Sequence, residues 1–360
     1  MRVKLEDVCE RGSSNIKQSD IIKMSGNYPI YGASGLAGKV SFYHQEQPYV
    51  AVVKDGAGIG RTTLNPAKSS VIGTMQYLIP KKNVLPEYLF YVVSYMHLEK
   101  YYTGATIPHI YFKDYKNEEF NLDNIEKQLE IIDVLGRCKK VIEARKQELV
   151  ELDSLTKARF VEMFGDPRSN PFGFEKKRLK DTCKVITGNT PSRAIEEYYG
   201  DYIEWIKTDN IVSGILNPTQ ATESLSEKGM NVGRTVEKDS ILMACIAGSI
   251  ASIGRVCITD RTVAFNQQIN AVVPEQYNIL FLYVLFQMSK DYLVEDINMA
   301  LKGILSKSKL EEKEFIIPPM DLQEQFSDFV KQVDKSKVAV QKALDETQIL
   351  FDSLMQKYFG

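Results

Sequence analysis

The chain repeats itself, and this repeat is the feature that most restricts its fold. Both halves end a long helical pattern on Phe-Gly, at Phe164-Gly165 and at Phe359-Gly360. Three further segments recur in the same order: "KLEDVCERGSSN" (4–15) with "RLKDTCKVITGN" (178–189), "GIGRTTL" (58–64) with "SIGRVCI" (252–258), and "EEFNLDNIEKQLEIIDVL" (118–135) with "KEFIIPPMDLQEQFSDFV" (313–330). The period is far longer than that of a solenoid repeat. The sequence therefore predicts a tandem duplication of one domain followed by one long helix.

The alignment of the two copies makes specific residue pairs. It places Cys9 opposite Cys183 and Gln128 opposite Gln325, and it gives Arg61 and Arg255 equivalent places in the Ile-Gly-Arg motif. The offset between the copies stays nearly constant along the chain, as a duplication with small insertions requires.

Each half has two compositional regimes. Residues 1–122 contain short apolar runs such as "QPYVAVVKDG" and "SSVIGTMQYLIP", which predict short strands broken by turns, followed by a helix at 86–102. The second half repeats this pattern, with strands predicted at 239–246 and 267–274 and a helix at 278–293.

Long proline-free stretches follow each mixed region, at 123–164 and 321–359, and the first contains one glycine, Gly136. Apolar residues recur in them at a spacing of three and four, which predicts amphipathic helices, the first of them roughly 60 Å long. The stripes are Leu135, Cys138, Ile142, Leu149 and Leu152, and Phe326, Val330, Val333, Val340, Leu344, Phe351 and Leu354, with polar Arg145 and Thr347 among them. Stripes this narrow favour a coiled coil between the two helices. The alternative is that each helix packs on its own domain.

Composition excludes several classes of protein. Hydrophobic residues make up 44% and charged residues 26% of the chain, as in soluble globular proteins. We see no signal peptide and no apolar run of membrane-spanning length, and the five cysteines form no CxxC pair, so we expect reduced thiols in the cytoplasm. The three histidines are not at ligand spacing, which argues against a histidine metal site. A net charge of −2 argues against a generally basic nucleic-acid surface.

The glycine-rich segment "KDGAGIGRTT" (54–63) is not a nucleotide-binding motif. It lacks the lysine and the spacing of a phosphate-binding loop, and its glycines do not fit the dinucleotide fingerprint. We interpret this segment and its repeat as strand, tight turn and strand. Arg61 and Arg255 then either contact a phosphate or a base, or are ordinary surface charges of a turn.

Two segments of the second half suggest contact with nucleic acid. The loop "TGNTPS" (187–192) offers backbone N–H and hydroxyl groups to a phosphate backbone, although an ordinary turn also explains it. Lys207 and Asn210 are plausible base readers, since lysine pairs with guanine and asparagine with adenine, while Trp205 is expected in the core.

In the first half, the loop-like segments 28–35 and 103–110 carry Tyr31, Ser34, Thr106 and His109, and a structural role also explains His109. We find no catalytic set repeated in both halves, which suggests a binding protein.

In this order and occurring twice, these motifs resemble one family, the specificity subunits of type I restriction-modification enzymes. The resemblance covers nearly the full chain. It rests on "LKDTCKVITGNTPS", "YIEWIKTDNI", "AGSIASIGRV", "FNQQINAVVP", "FIIPPMDLQEQF" and "LTKARFVEMFGDP".

The resemblance implies an α+β fold with a pseudo-two-fold internal repeat. Two mixed α/β target-recognition domains are then separated by an antiparallel coiled coil of two long helices. The expected divisions are a first recognition domain at 1–122, a first spacer helix at 123–164, a second recognition domain at 165–320 and a second spacer helix at 321–360.

The resemblance also implies the mechanism. Each recognition domain reads one half of a split, asymmetric site on double-stranded DNA, and the helices fix the distance between the halves. Two methyltransferase subunits carry S-adenosylmethionine chemistry on adenine, and motor-nuclease subunits use ATP and Mg²⁺. This chain is expected to bind no cofactor and to catalyse nothing, with no membrane partner.

We expect DNA contacts from loop residues of both halves: Tyr31, Ser34, Lys54, Arg61, Thr106, His109, Thr190, Ser192, Arg193, Lys207, Asn210, Ser249, Arg255 and Gln267. Two rival functions stay open, a coiled-coil scaffold with two protein-binding modules and no DNA role, and an enzyme with duplicated domains.

Overall fold

A computed structural model describes residues 1–104, 108–297 and 303–360. The chain forms two compact units, which we call unit 1 (Met1–Lys146 with Lys342–Gly360) and unit 2 (Gln147–Gln341). Each unit includes part of both long helices. The units therefore divide the chain differently from the four predicted domains, whose boundaries stay a prediction.

Unit 1 is built from short strands and helices. Its strands are Arg2–Lys4 (β1), Cys9–Ser13 (β2), Tyr28–Gly32 (β3), Gly35–Val40 (β4), Tyr49–Val53 (β5), Thr62–Asn65 (β6), Ser70–Val71 (β7), Met75–Pro80 (β8) and Glu119–Asn121 (β9). Its helices are Leu5–Val8 (α1), Gln18–Ile21 (α2), Pro86–Tyr95 (α3), Phe112–Tyr115 (α4) and the first part of Ile125–Phe164 (α5). The strands form sheets ordered β2-β8-β5-β6, β4-β3-β7 and β1-β9.

Unit 2 repeats this plan. Its strands are Lys176–Arg178 (β10), Cys183–Thr187 (β11), Tyr199–Gly200 (β12), Ile203–Ile206 (β13), Ser224–Leu225 (β14), Thr235–Val236 (β15), Ile241–Ala244 (β16), Val256–Ile258 (β17), Val263–Phe265 (β18), Ile269–Pro274 (β19) and Glu314–Ile316 (β20). Its helices are Glu227–Val232 (α6), Ile279–Met288 (α7), Lys290–Val294 (α8), Lys307–Glu312 (α9) and the first part of Met320–Phe359 (α10). The sheets are ordered β11-β19-β16-β17, β12-β14-β13-β18-β15 and β10-β20.

The central strand of each unit is buried on both faces. In β5, Val50 and Val52 belong to the core under α3, whereas the alternate residues of the strand belong to the core shared with the second sheet. In β16, Ile241 and Met243 face the helical core and Leu242 faces the second sheet. A strand whose two faces are both apolar reads as a continuous hydrophobic run, and this is why "YVAVV" and "ILMA" show no alternation.

The two long helices begin within two residues of the predicted proline-free stretches, at Ile125 and Met320. They end where those stretches end, at Phe164 and Phe359. They finish in the same way, since Gly165 donates its N–H to the Val161 carbonyl and Gly360 donates to the Gln356 carbonyl, each at 2.8 Å. Gly165 has a φ of +71°, a conformation that favours glycine after a helix.

Within each unit, the two helices pack against each other in antiparallel directions. In unit 2, the ring of Phe326 near the start of α10 lies 5.5 Å from both Phe160 and Phe164 at the end of α5. In unit 1, Leu135 near the start of α5 shares a core with Met355 near the end of α10. The predicted stripe residues are buried or half-buried. Leu135 and Phe326 also belong to the cores of their own units, so the helices both pair and pack on their domains, and a coiled coil along their full length stays a prediction.

One predicted correspondence is wrong. Gln325 is exposed, and the residue equivalent to Gln128 is Gln323. Gln128 and Gln323 are both fully buried. Each accepts a 2.9 Å hydrogen bond from the backbone N–H of a helix N-cap residue, which is Leu85 before α3 for Gln128 and Asn278 before α7 for Gln323. The second copy has two glutamines near this place, and the ungapped pairing of 118–135 with 313–330 also selects Gln323.

Candidate nucleic-acid interface

Unit 1 makes a tight turn between β5 and β6. Gly60 has a φ of +80°, and its N–H donates to the Val53 carbonyl at 2.9 Å. The N–H of Val53 in turn donates to the Arg61 carbonyl at 2.9 Å. Glycine is required at this position because side chains with a β carbon are strained at such a φ.

Unit 2 makes the same turn between β16 and β17. Gly254 has a φ of +78° and donates to the Ala244 carbonyl at 2.8 Å, and Ala244 donates to the Arg255 carbonyl at 2.9 Å. The strand–turn–strand interpretation of both Ile-Gly-Arg motifs is therefore confirmed.

The two arginines of these turns each bind a backbone carbonyl of a neighbouring loop. In unit 1, Nη1 of Arg61 donates to the Ala33 carbonyl at 3.0 Å. In unit 2, Nη2 of Arg255 donates to the Thr208 carbonyl at 3.2 Å. We call these contacts the arginine clamps. Each clamp holds the end of a strand in the second sheet, so both arginines have a positioning role in the protein itself.

The clamped carbonyls occupy equivalent positions. Tyr31 pairs with the parallel strand β7 and Ile206 pairs with the parallel strand β18. The Tyr31 carbonyl accepts from the chain just after β7 at 2.9 Å, and the Ile206 carbonyl accepts from the chain just after β18 at 3.0 Å. Ala33 and Thr208 each follow two residues later. The duplication thus preserves a frame that presents one loop in each unit.

In unit 1, a carboxylate joins two of the predicted site residues. Oδ1 of Asp55 lies 2.7 Å from Nδ1 of His109, and Oδ2 lies 3.5 Å from Nζ of Lys54. The loop that carries His109 also pairs with the turn through a 3.0 Å bond from the Gly56 N–H to the Pro108 carbonyl. Lys54 and His109 are therefore brought together, on the same turn that carries Arg61.

Ser34 and Tyr31 lie on the clamped hairpin of unit 1. Ser34 is exposed at the turn between β3 and β4, next to the carbonyl that Arg61 holds. Tyr31 is half-buried within β3. Thr106 lies outside the described residues.

In unit 2, two cations and a carboxylate gather on an aromatic platform. Glu223 accepts a hydrogen bond from Nη2 of Arg193 at 2.6 Å and also pairs with Nζ of Lys207. The Arg193 guanidinium lies 4.4 Å from the ring centre of Tyr199 and 5.1 Å from that of Trp205, and Nζ of Lys207 lies 5.2 Å from Trp205. We call these five residues the Trp205 cluster.

The charges of the Trp205 cluster favour the ionised carboxylate. Lys207 first and Arg193 second hold the pKa of Glu223 below its usual range. Glu223 thereby offsets one of the two positive charges, so the cluster keeps a net charge of +1, and Arg193 stays exposed. Any anionic or polar ligand must compete with Glu223 for these cations, and such competition makes binding depend on geometry as well as on charge.

The remaining polar residues of unit 2 lie on neighbouring loops. The Thr190 hydroxyl donates to Oε1 of Gln267, and Ser192 is exposed on the same loop as Thr190. Ser249 is exposed in the loop after β16 and its hydroxyl lies 3.1 Å from that of Ser252. The Thr190 and Gln267 loops therefore meet, whereas within the described residues Ser249 bonds to Ser252 of its own loop.

The chain matches a known protein family. A family model described as "Type I restriction modification DNA specificity domain" matches residues 1–153 and 171–347. These two stretches cover most of the sequence and fall one in each repeat. The chain belongs to this specificity family.

Relatives and solved structures agree with the family. The chain is 35% identical over 117 residues to the HindI specificity subunit of Haemophilus influenzae, covering 32% of this chain and 24% of that subunit. It is 25% identical over 307 residues to the MjaIX specificity subunit of Methanocaldococcus jannaschii, covering 78% of this chain and 69% of that subunit. The fold is similar to the type I S subunit from M. genitalium, with a TM-score of 0.64 at 15% identity over 100% of this chain and 96% of that one. A second solved chain, from a study of type I complex assembly, has a TM-score of 0.56 at 15% identity and covers 99% of this chain and 97% of its own.

In this specificity chain, the side-chain amide of Asn210 is buried and already hydrogen-bonded, so it leaves no polar edge free for a base. Asn210 is 7% exposed, its Oδ1 accepts from the Lys207 N–H at 3.0 Å, and its Nδ2 donates to Thr219 at 3.2 Å and to the Gln220 carbonyl at 3.1 Å. The prediction that Asn210 reads adenine is therefore corrected to a positioning role, in which it fixes the turn that carries Lys207.

Sequence reasoning missed the partner of the two cations. Glu223 lies in a polar run without a motif, and it joins Lys207 and Arg193 only after the chain has folded back from β13 to β14. Trp205 is buried, as predicted for a core residue, but its ring also supports both cations. Lys207 two residues after the single tryptophan was the available signal.

Among the described residues of this specificity chain, no cluster of His, Cys, Asp and Glu has the arrangement of a metal site, and no helix is long and apolar enough to cross a membrane. Burial raises the pKa of the Cys9, Cys183, Cys245 and Cys257 thiols to about 12. These four cysteines are thus held protonated in the core, where they pack as small apolar side chains.

Proposed function

We propose that this specificity chain reads a bipartite, asymmetric site on double-stranded DNA, one half with each unit. The observation that carries the proposal is the pair of arginine clamps. Arg61 and Arg255 hold equivalent strand ends, but the loops they hold differ, a two-residue turn at Ala33 and Ser34 in unit 1 and the 207–223 loop in unit 2. One frame with two different polar edges is suited to two different base sequences.

We assign the chain a recognition role without catalysis, since its polar clusters are arranged as ion pairs and loop braces. The modest net charge of −2 supports shared DNA binding, because a protein that grips a duplex alone must neutralise several phosphates. We therefore propose two methyltransferase subunits as partners that supply much of the phosphate contact. They bind S-adenosylmethionine, and motor-nuclease subunits, where the system has them, bind ATP and Mg²⁺.

The paired helices are proposed to set the spacing between the two half-sites. Both α5 and α10 contribute residues to both units. An α-helix rises 1.5 Å per residue, so the number of helical residues sets the length of the helix. That length would in turn set the distance between the two half-sites along the DNA.

The test is co-expression with the methyltransferase encoded beside this chain, followed by purification and an assay of methyl transfer to adenine in duplex DNA. We expect a stable complex whose methylation requires both subunits and a specific duplex. The scaffold alternative predicts a complex without sequence-dependent methylation. The enzyme alternative predicts activity from this chain alone, and either result would refute the proposal.

A further inference from the structure

The two units differ in the connection that, in unit 2, carries Lys207 and Glu223 of the Trp205 cluster. In unit 1, β3 and β4 are joined by a two-residue turn. In unit 2, the equivalent connection between β13 and β14 is the long loop 207–223. Residues 212–217 of this loop form an irregular segment with a turn at Ser213–Gly214, and we call it the filler segment.

The filler segment lies along the outer edge of β17. The Ile258 N–H donates to the Leu216 carbonyl at 2.7 Å, and Nδ2 of Asn217 donates to the Ile258 carbonyl at 2.8 Å. Leu216 packs against the helical core of unit 2, and Ile258 is only 5% exposed. The filler segment thus covers part of the edge of β17 through one backbone bond and one side-chain bond.

The corresponding strand of unit 1 is β6, which is also an edge strand of its four-stranded sheet. Leu64 follows Arg61 by three residues, as Ile258 follows Arg255, so the two are equivalent. Because Val53 bonds to Arg61 and bonded pairs alternate in antiparallel sheets, the N–H and carbonyl of Leu64 point away from β5. Leu64 is 39% exposed, and no strand of the described part of unit 1 pairs with this edge.

An open groove of about 650 Å³ lies beside β6, between this strand and helices α3 and α5. Its walls include Thr63, Leu64, Phe90, Tyr91 and Ile132, and all of them belong to unit 1. The groove therefore combines an apolar floor with the outward-facing backbone of an edge strand, the two features that the filler segment uses in unit 2.

Gly136 leaves space in the wall of this groove. It is the single glycine of 123–164, it lines the groove, and a β carbon built on it would meet only the Tyr91 hydroxyl, at 4.0 Å. Glycine in the interior of a helix is unfavourable, so its presence here calls for a reason in packing or function. The equivalent residue of α10 is Lys331, on the helix whose unit supplies its own filler segment.

The α5 wall of the groove carries more positive than negative charge. Arg137, Lys139 and Lys140 line it, with Asp133 paired to Arg137 at 2.8 Å and Glu87 on the α3 side. Nζ of Lys139 lies 5.0 Å from the Phe90 ring. This wall favours acidic side chains on an occupant.

We propose that this groove of unit 1 binds an extended, acidic segment of a partner polypeptide. The segment adds to the free edge of β6, places an aliphatic side chain over the apolar floor as Leu216 does in unit 2, and places carboxylates beside Lys139 and Lys140. The filler segment is an internal precedent for bonding to the outward N–H of the edge strand with an aliphatic side chain over the core. The charge of the α5 wall sets the chemistry of the partner.

Fluorescence anisotropy with the full-length chain tests this proposal. The probes are two labelled peptides, one with the sequence of residues 211–218 and one in which the polar positions flanking its aliphatic residues are glutamate. We expect the acidic peptide to bind at least tenfold more tightly than the neutral one. Hydrogen exchange should show protection of the Leu64 amide in the complex.

Two variants block the groove in different ways. Gly136→Leu fills it with a good helix former, and Leu64→Pro removes the outward N–H without removing a bond to β5. Each should weaken acidic-peptide binding at least tenfold. Gly136→Ala should bind within threefold of the unchanged chain, because its methyl group fits, and Lys146→Glu serves as a charge control on α5 outside the groove.

Three outcomes would overturn the proposal. They are failure of the unchanged chain to bind the acidic peptide, equal binding by the Gly136→Leu variant with a native circular dichroism spectrum, and a Lys139→Glu variant that loses duplex DNA affinity while its peptide affinity is unaltered. The last result would make the groove a phosphate-binding surface.

Discussion

Single residues determine how each mixed region joins its long helix, and Gln128 shows how. Its Oε1 accepts from the Leu85 N–H, while Nε2 donates to the Asn83 and Asp123 carbonyls at 3.0 and 2.9 Å. Gln323 makes the equivalent bridge, with Nε2 donating to the Pro318 carbonyl at 2.8 Å. A buried amide that satisfies several backbone groups at once is difficult to replace, because each group left unpaired costs free energy.

Gln128→Leu should therefore destabilise unit 1. The variant leaves a buried N–H and two carbonyls without this partner, and we expect a loss of about 2–4 kcal/mol, since each unsatisfied buried group costs roughly 1–3 kcal/mol and water recovers part of it. Gln325→Leu is the matched control, and its exposed position predicts a change within about 0.5 kcal/mol. Thermal unfolding by calorimetry measures both. Equal effects of the two changes would refute the assignment of Gln323 as the true equivalent.

Glu223→Gln should increase duplex affinity while lowering discrimination. The substitution removes the one carboxylate charge that pairs with both Arg193 and Lys207. If the freed cations neutralise one further phosphate, the slope of log K against log salt becomes steeper by about 0.9. Duplex titrations at several salt concentrations, with cognate and mismatched DNA, measure both effects. An unchanged salt slope would show that the Trp205 cluster does not meet the DNA backbone.

At the scale of elements, periodicity was a sufficient guide to the long helices, because a stripe at a spacing of three and four persists through forty residues in each. It was a poor guide to the short strands. The predicted strand 239–246 is Ile241–Ala244 in the structure, and the helix predicted at 278–293 is broken at Ser289 into α7 and α8. Contacts distant in sequence set those limits.

Length in α5 should translate into spacing on DNA. Inserting four residues near Glu143, about one helical turn or roughly 6 Å, should lengthen the preferred spacer by one or two base pairs and leave both half-sites unaltered. Mapping of methylated adenines in a host that expresses the variant with its methyltransferase measures the spacer. The control replaces residues 143–146 in place with the inserted sequence. An unchanged spacer would exclude the ruler role.

At the scale of the whole molecule, the duplication could be predicted from the sequence because local motifs recur in order. The candidate nucleic-acid interface could be predicted only in part. The Ile-Gly-Arg turn follows from local glycine chemistry, whereas the acceptors of Arg61 and Arg255 and the burial of Asn210 depend on how the second sheet folds over the first. The groove beside β6 was invisible for the same reason, apart from the signal of Gly136.

The duplication predicts that residues 1–165 dimerise through their own helix. Phe160 and Phe164 stand at the places of Met355 and Phe359, so the helix end of a second copy should replace residues 342–360 in unit 1. Such a dimer is isologous, and its DNA target should be a palindrome of the first half-site. Expression of the fragment with the methyltransferase and mapping of methylated adenines test this. A folded fragment that stays monomeric and supports no methylation would contradict it.

The central claim is that each unit reads its own half of one DNA site, and a single measurement tests it most directly. Methylated adenines are mapped genome-wide in a host that expresses the methyltransferase with the unchanged chain or with Lys207→Ala. Lys228→Ala serves as a matched control, because Lys228 is an exposed lysine of unit 2 that pairs with Glu197 and not with Glu223. We predict a bipartite motif for the unchanged chain. Lys207→Ala should relax one half of that motif only, by about 1–3 kcal/mol of discrimination if one bidentate base contact is lost. A motif that changes in both halves, or one that does not change at all, would contradict the account.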